Sequence, residues 1–289
     1  MAGLILSQVV IGLVNGMLYV LIAVGLSIIF GMLGIVNFAH GAFIAVGAYL
    51  AVTLVQNFGW PAVVLAPVLT GLIGVIVEMT LIRHLYGKEP LLGLILTFAL
   101  ALFFEAALKF TFGGDARPFD PPGFLSGLIV WGPILLTTYR LAVLLVTATV
   151  LVAFWAFLRF TRFGRIIRAG SRDAEMVGLL GINLPIVFSG VFGIGCLLAG
   201  IAGLLVGPLW SLQPSMGNDA IMPAFVIVTI GGLGSYLGAA VAGLMVGLVG
   251  ALTIQFAPGW SAASMYVLMM VVLLVRPRGL FGESWERFE

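Results

Sequence analysis

Long apolar stretches dominate the chain, and polar residues fall mainly into the short segments between them. A helix that crosses the hydrocarbon core of a bilayer needs about 20 consecutive apolar residues. The stretches do not alternate polar and apolar residues as the strands of a membrane barrel would. They lie at residues 9–30, 38–55, 61–82, 91–112, 141–158, 186–210, 219–230, 236–256 and 260–275. The pattern predicts an all-α, polytopic transmembrane helix bundle of about eight or nine segments.

The composition also favours a membrane environment. Of the 289 residues, 62% are hydrophobic and 8% are charged, whereas a soluble domain carries about 25% charged residues. A net charge of +2 is too small to indicate a nucleic-acid partner. The first stretch lacks the basic region of a cleaved signal peptide, so we interpret it as the first span. No linker divides the chain, which predicts a single domain over residues 1–289.

Lysine and arginine are distributed unevenly between two sets of segment ends. One set holds Lys109, Arg117 and Arg140. The opposite set holds Arg83, Lys88, Arg159, Arg162, Arg165, Arg168, Arg172, Arg276, Arg278 and Arg287. Because basic residues concentrate on the cytoplasmic side, the larger set and the C-terminus are predicted to be cytoplasmic. The seventh stretch is too short to cross unaided; a full crossing keeps these arginines on one side, and re-entry does not.

The segment between the first two stretches contains glycines, an asparagine and a histidine but no charged residue. Irregular backbone at membrane depth survives only where protein or a water-filled cavity satisfies it. Asn37 and His40 are therefore candidates for the substrate pathway, and the alternative is that Asn37 caps the second helix. No metal site is predicted, because His84 is the only other histidine and no carboxylate cluster accompanies it. The glycines predicted to break helices are Gly31, Gly34, Gly41, Gly231, Gly232 and Gly234.

A few polar residues lie inside the apolar stretches. Glu105 and Lys109 stand one helical turn apart and can form an ion pair. Glu78 lies inside the third stretch, about one turn from Arg83. A carboxylate inside a membrane span is a candidate for a functional site, so both glutamates are candidates for the substrate pathway, with ion pairing as the alternative. Asp219 heads the short seventh stretch, where a helix cap is the simpler interpretation. The single cysteine, Cys196, is predicted to be a small buried hydrophobic residue.

The strongly charged loop at residues 159–185 is predicted to be cytoplasmic. Its arginines recur every third residue, which suits contact with anionic lipid headgroups. Ser171 is predicted to cap a short helix with Asp173 and Glu175 in its first turn, and Gly181 to end it. About nine residues span only ~13 Å, too short to cross the membrane. The apolar face of this helix packs either on the protein's own spans or into a groove on a soluble partner.

Five motifs occur in an order that resembles a known family: NFAHG at 37–41, GRIIRA at 164–169, EMVGLLGI at 175–182, GGLGS at 231–235 and RPRGLFG at 276–282. The chain resembles the LivH-type membrane subunits of branched-chain amino acid ABC importers. The resemblance covers nearly the whole chain. It departs from the family at Pro223, where a lysine is frequent, and this leaves the identity of the solute open.

The resemblance implies that residues 171–182 form the coupling helix that fits a groove on the ATPase. The residues implied are Ser171, Arg172, Asp173, Glu175, Met176, Leu179, Leu180 and Gly181. It also implies a second, LivM-like permease subunit, two cytoplasmic ATPase subunits that bind ATP and Mg²⁺, and a periplasmic solute-binding protein. The location implied is the bacterial inner membrane.

The sequence contains no phosphate-binding loop of the Gly-x-x-x-x-Gly-Lys-[Ser/Thr] type and no recognisable catalytic arrangement. The chain is therefore predicted to be a pore-forming subunit that needs no cofactor of its own and is not an enzyme. The alternative is a self-sufficient secondary transporter or channel, for which Glu78, Glu105 and His40 would have to form an ion relay. Branched-chain amino acids are the leading solutes, and urea, short amides and small organic or aromatic acids are the alternatives.

Overall fold

The fold was analysed in a computed structural model, which describes residues 2–132 and 134–282. Pro133 and Arg287 lie outside the described residues. The α-helices are α1 (Ala2–Leu33), α2 (Ala39–Phe58), α3 (Leu65–Thr80), α4 (Pro90–Phe112), α5 (Thr138–Phe160), α6 (Arg162–Gly170), α7 (Ala174–Leu179), α8 (Leu184–Val206), α9 (Met216–Gly231), α10 (Tyr236–Phe256) and α11 (Ser261–Val275). Short 3₁₀ helices lie at Trp60–Val64, Ile82–Leu85, Gly123–Leu125 and Pro258–Trp260.

Within the described residues, 8 helical segments are long and apolar enough to cross a membrane. The predicted all-α, polytopic fold is confirmed, and the chain is a multi-pass membrane protein. α9 is the short seventh segment of the prediction; its 16 residues rise only ~24 Å, against a hydrocarbon core of about 30 Å. Whether α9 crosses fully stays a prediction.

A β-hairpin precedes α5, and the sequence argument missed it. Strand β1 (Leu128–Trp131) pairs antiparallel with β2 (Ile134–Thr137), and Leu128 lies opposite Thr137. The Thr138 backbone N–H and side-chain hydroxyl both donate to the Gly127 carbonyl, at 2.8 and 3.0 Å. Strands of four residues are too short to show a reliable period in the sequence.

The chain divides into two compact units. One comprises Ile28–Asp120 and Leu151–Met222, and in it α2, α3, α4 and α8 pack together. Small residues permit the close approach of α2 to α8, since a Cβ added at Gly47 would lie 2.6 Å from the Gly200 Cα. Cys196 is fully buried on α8, as predicted.

The other unit comprises the described parts of Met1–Ser27, Pro121–Val150 and Pro223–Glu289. In it α1 packs on α10 through glycines, and a Cβ added at Gly12 would lie 3.0 Å from the Gly247 carbonyl oxygen. The chain after α11 satisfies the last carbonyls of α9, because the backbone N–H groups of Leu280 and Phe281 donate to Ile230 and Gly231 at 2.8 and 3.0 Å. The single-domain assignment stays a prediction.

Candidate functional site

Residues 34–37 form a non-helical segment between α1 and α2. α1 ends at Leu33, and Gly34 follows with a φ of 67°, a conformation that suits glycine. The Val36 carbonyl accepts a hydrogen bond from the Thr97 hydroxyl of α4 at 3.0 Å. Ile35 packs against Gly93, also on α4, where an added Cβ would meet its side chain at 3.1 Å. The irregular backbone is thus held by α4.

Asn37 ends this segment, and its side chain is fully buried. Among the described residues, neither amide atom of Asn37 has a hydrogen-bond partner. The N-cap of α2 is Phe38, and no side chain caps that helix, so the alternative interpretation of Asn37 as the cap is wrong. His40 is fully buried in the first turn of α2. Asn37 therefore places one donor and one acceptor group in the interior. The roles of Asn37 and His40 in the substrate pathway stay predictions.

Three of the six glycines predicted to break helices do so. Gly34, Gly232 and Gly234 have positive φ values of 67°, 98° and 81° and lie between helices. Gly231 is the last residue of α9. The prediction is wrong for Gly31 and Gly41, which lie inside α1 and α2. Gly41 instead allows close packing, because an added Cβ would lie 2.9 Å from the Ile221 Cβ.

Glu78 lies on the last turn of α3 in a network of polar side chains. Its carboxylate is fully buried and lies 3.4 Å from the Arg83 guanidinium. The Tyr86 hydroxyl donates to Oε1 at 2.7 Å, and the Ser189 hydroxyl of α8 donates to Oε2. Arg83 also donates to the Ser189 Oγ at 2.6 Å. The geometry therefore favours the ion-pairing alternative for Glu78, and its role in the substrate pathway stays a prediction.

Tyr86 lies outside the membrane-spanning segments, and its contact with this network changes the pKa of its hydroxyl. Burial, and next the hydrogen bond to Glu78, raise the pKa of the Tyr86 hydroxyl far above its ordinary value, although Arg83 opposes the shift. Tyr86 thus remains a hydrogen-bond donor to the carboxylate.

Glu105 and Lys109 form the ion pair that their spacing predicted. The Lys109 ammonium lies 2.6 Å from Glu105 Oε1, and the Asn218 amide donates to Oε2 at 3.0 Å. The second contact joins α4 to the first turn of α9. Asp219 does not cap α9, because that helix begins three residues earlier, at Met216; its carboxylate accepts from the Gln213 amide at 3.4 Å. A substrate-pathway role for Glu105 stays a prediction.

The predicted coupling segment contains two short helices, α6 and α7. Asp173 caps α7, since its carboxylate accepts from the Met176 N–H at 2.9 Å. The prediction that Ser171 is the cap is wrong, because Ser171 follows α6 and its hydroxyl donates to the Arg168 carbonyl at 3.1 Å. Gly181, with a φ of 82°, lies just beyond the helix end. The six residues of α7 rise only ~9 Å, which confirms that α7 cannot cross a membrane.

The apolar residues of α7 and the turn after it divide between an inner and an outer side. Val177 is 4% exposed, and Gly178 lies against Leu184 of α8. Met176, Leu179 and Leu180 are 56%, 78% and 76% exposed, and the polar Arg172 and Glu175 beside them are exposed as well. Among the described residues, packing on the protein's own helices therefore covers Val177 but leaves an exposed apolar patch of Met176, Leu179 and Leu180.

Sequence reasoning missed Ser189, Tyr86 and Asn218, which complete the two carboxylate networks. Ser189 stands in an apolar stretch, where serines usually bond to their own helix. Tyr86 and Asn218 lie near segment ends, where polar residues are ordinary. None of the three carries a signal in the sequence. The packing of α8 and α9 brings Ser189 and Asn218 to the carboxylates, and the turn after α3 brings Tyr86.

Comparison with known proteins places these features in one family. The family described as branched-chain amino acid transport system / permease component matches residues 8–275. The chain is 31% identical to the high-affinity branched-chain amino acid transport system permease protein LivH of Escherichia coli, over 96% of this chain and 95% of that protein. Identity and coverage are the same for the corresponding permease protein BraD of Pseudomonas aeruginosa. A probable LivH of Methanocaldococcus jannaschii is 25% identical, over 94% and 91% of the two chains. No solved structure was found to match.

Proposed function

Because the chain belongs to the family of branched-chain amino acid transport system permease components, we propose that it forms one half of the translocation pore of an ABC importer. A second, LivM-like permease subunit supplies the other half. Two cytoplasmic ATPases bind ATP and Mg²⁺ and drive transport, and a periplasmic solute-binding protein delivers the solute. The chain itself holds no ATPase site.

The uncovered apolar patch beside α7 carries this proposal. Met176, Leu179 and Leu180 are exposed and lie on a segment too short to cross the membrane as a span. Burying a leucine side chain contributes about 1.5–3 kcal/mol, which is available when a soluble partner offers an apolar groove. We assign the ATPases as that partner and α7 as the helix that receives their motion.

The orientation follows from this assignment and from the arginines. α6, α7 and the C-terminus lie in the cytoplasm of a bacterium, and the surrounding bilayer is the inner membrane. With α9 crossing fully, the chain makes nine crossings and its N-terminus is outside. The exposed arginines of α6, at positions 162 and 165, then face the anionic headgroups of the cytoplasmic leaflet.

We propose that the solute is a branched-chain amino acid that passes Asn37 and His40. The named relatives transport this class of solute, and a buried amide without a partner can bind both the ammonium and the carboxylate of an amino acid. The ion relay required by a self-sufficient transporter has less support, because Glu78 and Glu105 are each paired with a cation in the chain itself. Urea, short amides and small organic acids are the competing solutes in an uptake assay.

Co-purification tests the proposed partner. In a strain that expresses the chain with its partner subunits, the variant Leu179→Glu/Leu180→Glu should lose the ATPases, since two lost leucine contacts weaken binding by about 100-fold or more. Leu128→Glu is the matched control, because Leu128 is also exposed, at 69%, but lies on the β-hairpin. Retention of the ATPases by the double variant would refute the assignment of α7.

A further inference from the structure

Three consecutive residues of α8 each contact a different element. Phe188 packs edge-to-face on Tyr86, with ring centroids 4.9 Å apart. Ser189 donates to Glu78 on α3 and accepts from Arg83. An added Cβ at Gly190 would lie 2.7 Å from the Phe163 ring of α6. The second turn of α8 is therefore tied to α3, to the turn that follows α3, and to α6.

The N-terminal end of α8 follows α7 closely along the chain. Asn183 caps α8 by accepting from the Ile186 N–H at 3.4 Å, and only residues 180–183 separate the two helices. Leu184, in the first turn of α8, lies against Gly178 of α7. A displacement of α7 must therefore reach the start of α8, five residues before Ser189.

Separating α8 from α3 at this point would take the Ser189 hydrogen bond away from the buried Glu78 carboxylate. Glu78 is fully buried, and its donors are Arg83, Tyr86 and Ser189. A buried carboxylate that loses a partner keeps its desolvation cost without the compensating attraction, which disfavours the separated state strongly. Farther along, α3 and α8 are held together by close packing at glycines, where Gly71 lies against Gly193. The carboxylate network thus joins α3 to α8 at the end of the two helices that lies nearest α7.

We infer that Glu78 and Ser189 are positioning residues that lock the α7-proximal end of α8 to α3, so that a displacement of α7 moves both spans as one body. This inference deepens the proposed function, since it states how motion received at α7 enters the membrane-spanning helices. In this role Glu78 joins α3 to α8 through the Ser189 hydroxyl. Arg83 and Tyr86 hold its carboxylate in place.

The distance between α3 and α8 tests the inference directly. Spin labels are attached to cysteines introduced at Met79 and Ile186, which are 49% and 65% exposed, in the full chain in lipid nanodiscs. Cys196 is fully buried, and labelling of the chain without the new cysteines checks that it stays unreacted. The parent chain should give one narrow distance distribution. Glu78→Gln, which removes the charge and preserves the shape, should broaden or split it.

Ser189→Ala is the second variant, and it should broaden the distribution even if Glu78→Gln folds poorly. Ser264→Ala is the matched control, because the bond that the Ser264 hydroxyl makes among the described residues stays within its own helix, to the Ser261 carbonyl at 2.8 Å. Unchanged distributions in folded Glu78→Gln and Ser189→Ala would overturn the inference. So would a broad distribution in the parent chain.

Coupled transport supplies the functional readout. In proteoliposomes that hold the complete complex, Glu78→Gln should raise the ATP hydrolysed per leucine taken up by about tenfold, within the range of coupling between distant sites. A merely structural role would lower the amount of folded complex and leave this ratio unchanged. If the parent complex takes up no leucine on ATP hydrolysis, the proposed function fails, while the distance measurement in nanodiscs still decides whether α3 and α8 are locked.

Discussion

Replacing Asn37 with leucine should make the protein more stable and less active. Both amide atoms of Asn37 are buried without a partner among the described residues. A buried polar group left unsatisfied costs about 1–3 kcal/mol, and leucine has the same branched arrangement of side-chain heavy atoms without that cost. Asn37→Leu should therefore raise the free energy of unfolding by about 1–3 kcal/mol. At roughly 2–4 °C per kcal/mol, the melting temperature in detergent should rise by about 2–12 °C.

Transport should change in the opposite direction. If the Asn37 amide binds the charged groups of the solute, losing hydrogen bonds of about 1.5–3 kcal/mol should lower the rate of leucine uptake by about 10- to 100-fold. The measurement compares uptake in proteoliposomes with thermal unfolding of the same preparation. A stabilised variant that transports normally would refute the placement of Asn37 in the substrate pathway.

Thr97→Val is the matched control for the stability half of this prediction. Thr97 is equally buried and close to Asn37 in the fold, but its hydroxyl donates to the Val36 carbonyl at 3.0 Å. Its removal should destabilise the chain by about 1–3 kcal/mol, because it leaves a buried carbonyl unsatisfied. The two substitutions should therefore shift the melting temperature in opposite directions. A fall in both would show that Asn37 makes stabilising contacts.

Two further predictions concern packing and capping. Gly203→Ala should lower the melting temperature, because an added Cβ would lie 2.8 Å from the Ala48 backbone nitrogen and overpacking costs about 1–3 kcal/mol. Gly250→Ala is the control and should leave the melting temperature unchanged, because an added Cβ there meets nothing within 4 Å. Equal effects of the two substitutions would contradict the packing of α2 on α8. Asp173→Ala should remove the cap of α7, which is worth about 1 kcal/mol, and should speed hydrogen exchange at the Met176 amide about fivefold. If the Met176 amide exchanges at the same rate in Asp173→Ala and Ser171→Ala, Asp173 is not the cap.

The membrane-spanning architecture was predictable because lipid imposes a simple rule on sequence. A span must be long, apolar and helical, and so the predicted stretch 236–256 matches α10 residue for residue. The ion pair of Glu105 and Lys109 was equally predictable, since four residues along a helix bring two side chains together. Local spacing sufficed in both cases.

Features that depend on packing between distant segments were not predictable. Nothing in the sequence near Glu78 indicates Ser189, which lies 111 residues away and reaches the carboxylate only through the packing of α8 on α3. The cap of α7 was misassigned by two residues because serine and aspartate are both good caps and stand close together. At Gly41 the sequence predicts a helix break that does not occur, because a glycine needed for close packing carries the same signal as one that breaks a helix.

ATP-dependent solute uptake tests the central claim, that the chain is driven from outside through α7. Proteoliposomes contain the chain with its partner permease, ATPases and solute-binding protein, or the two permease subunits alone, and uptake of radiolabelled leucine is followed with and without internal ATP. We predict uptake only with the ATPases and ATP present, and its loss in Leu179→Glu/Leu180→Glu. Leucine accumulation by the permease subunits alone would contradict the account.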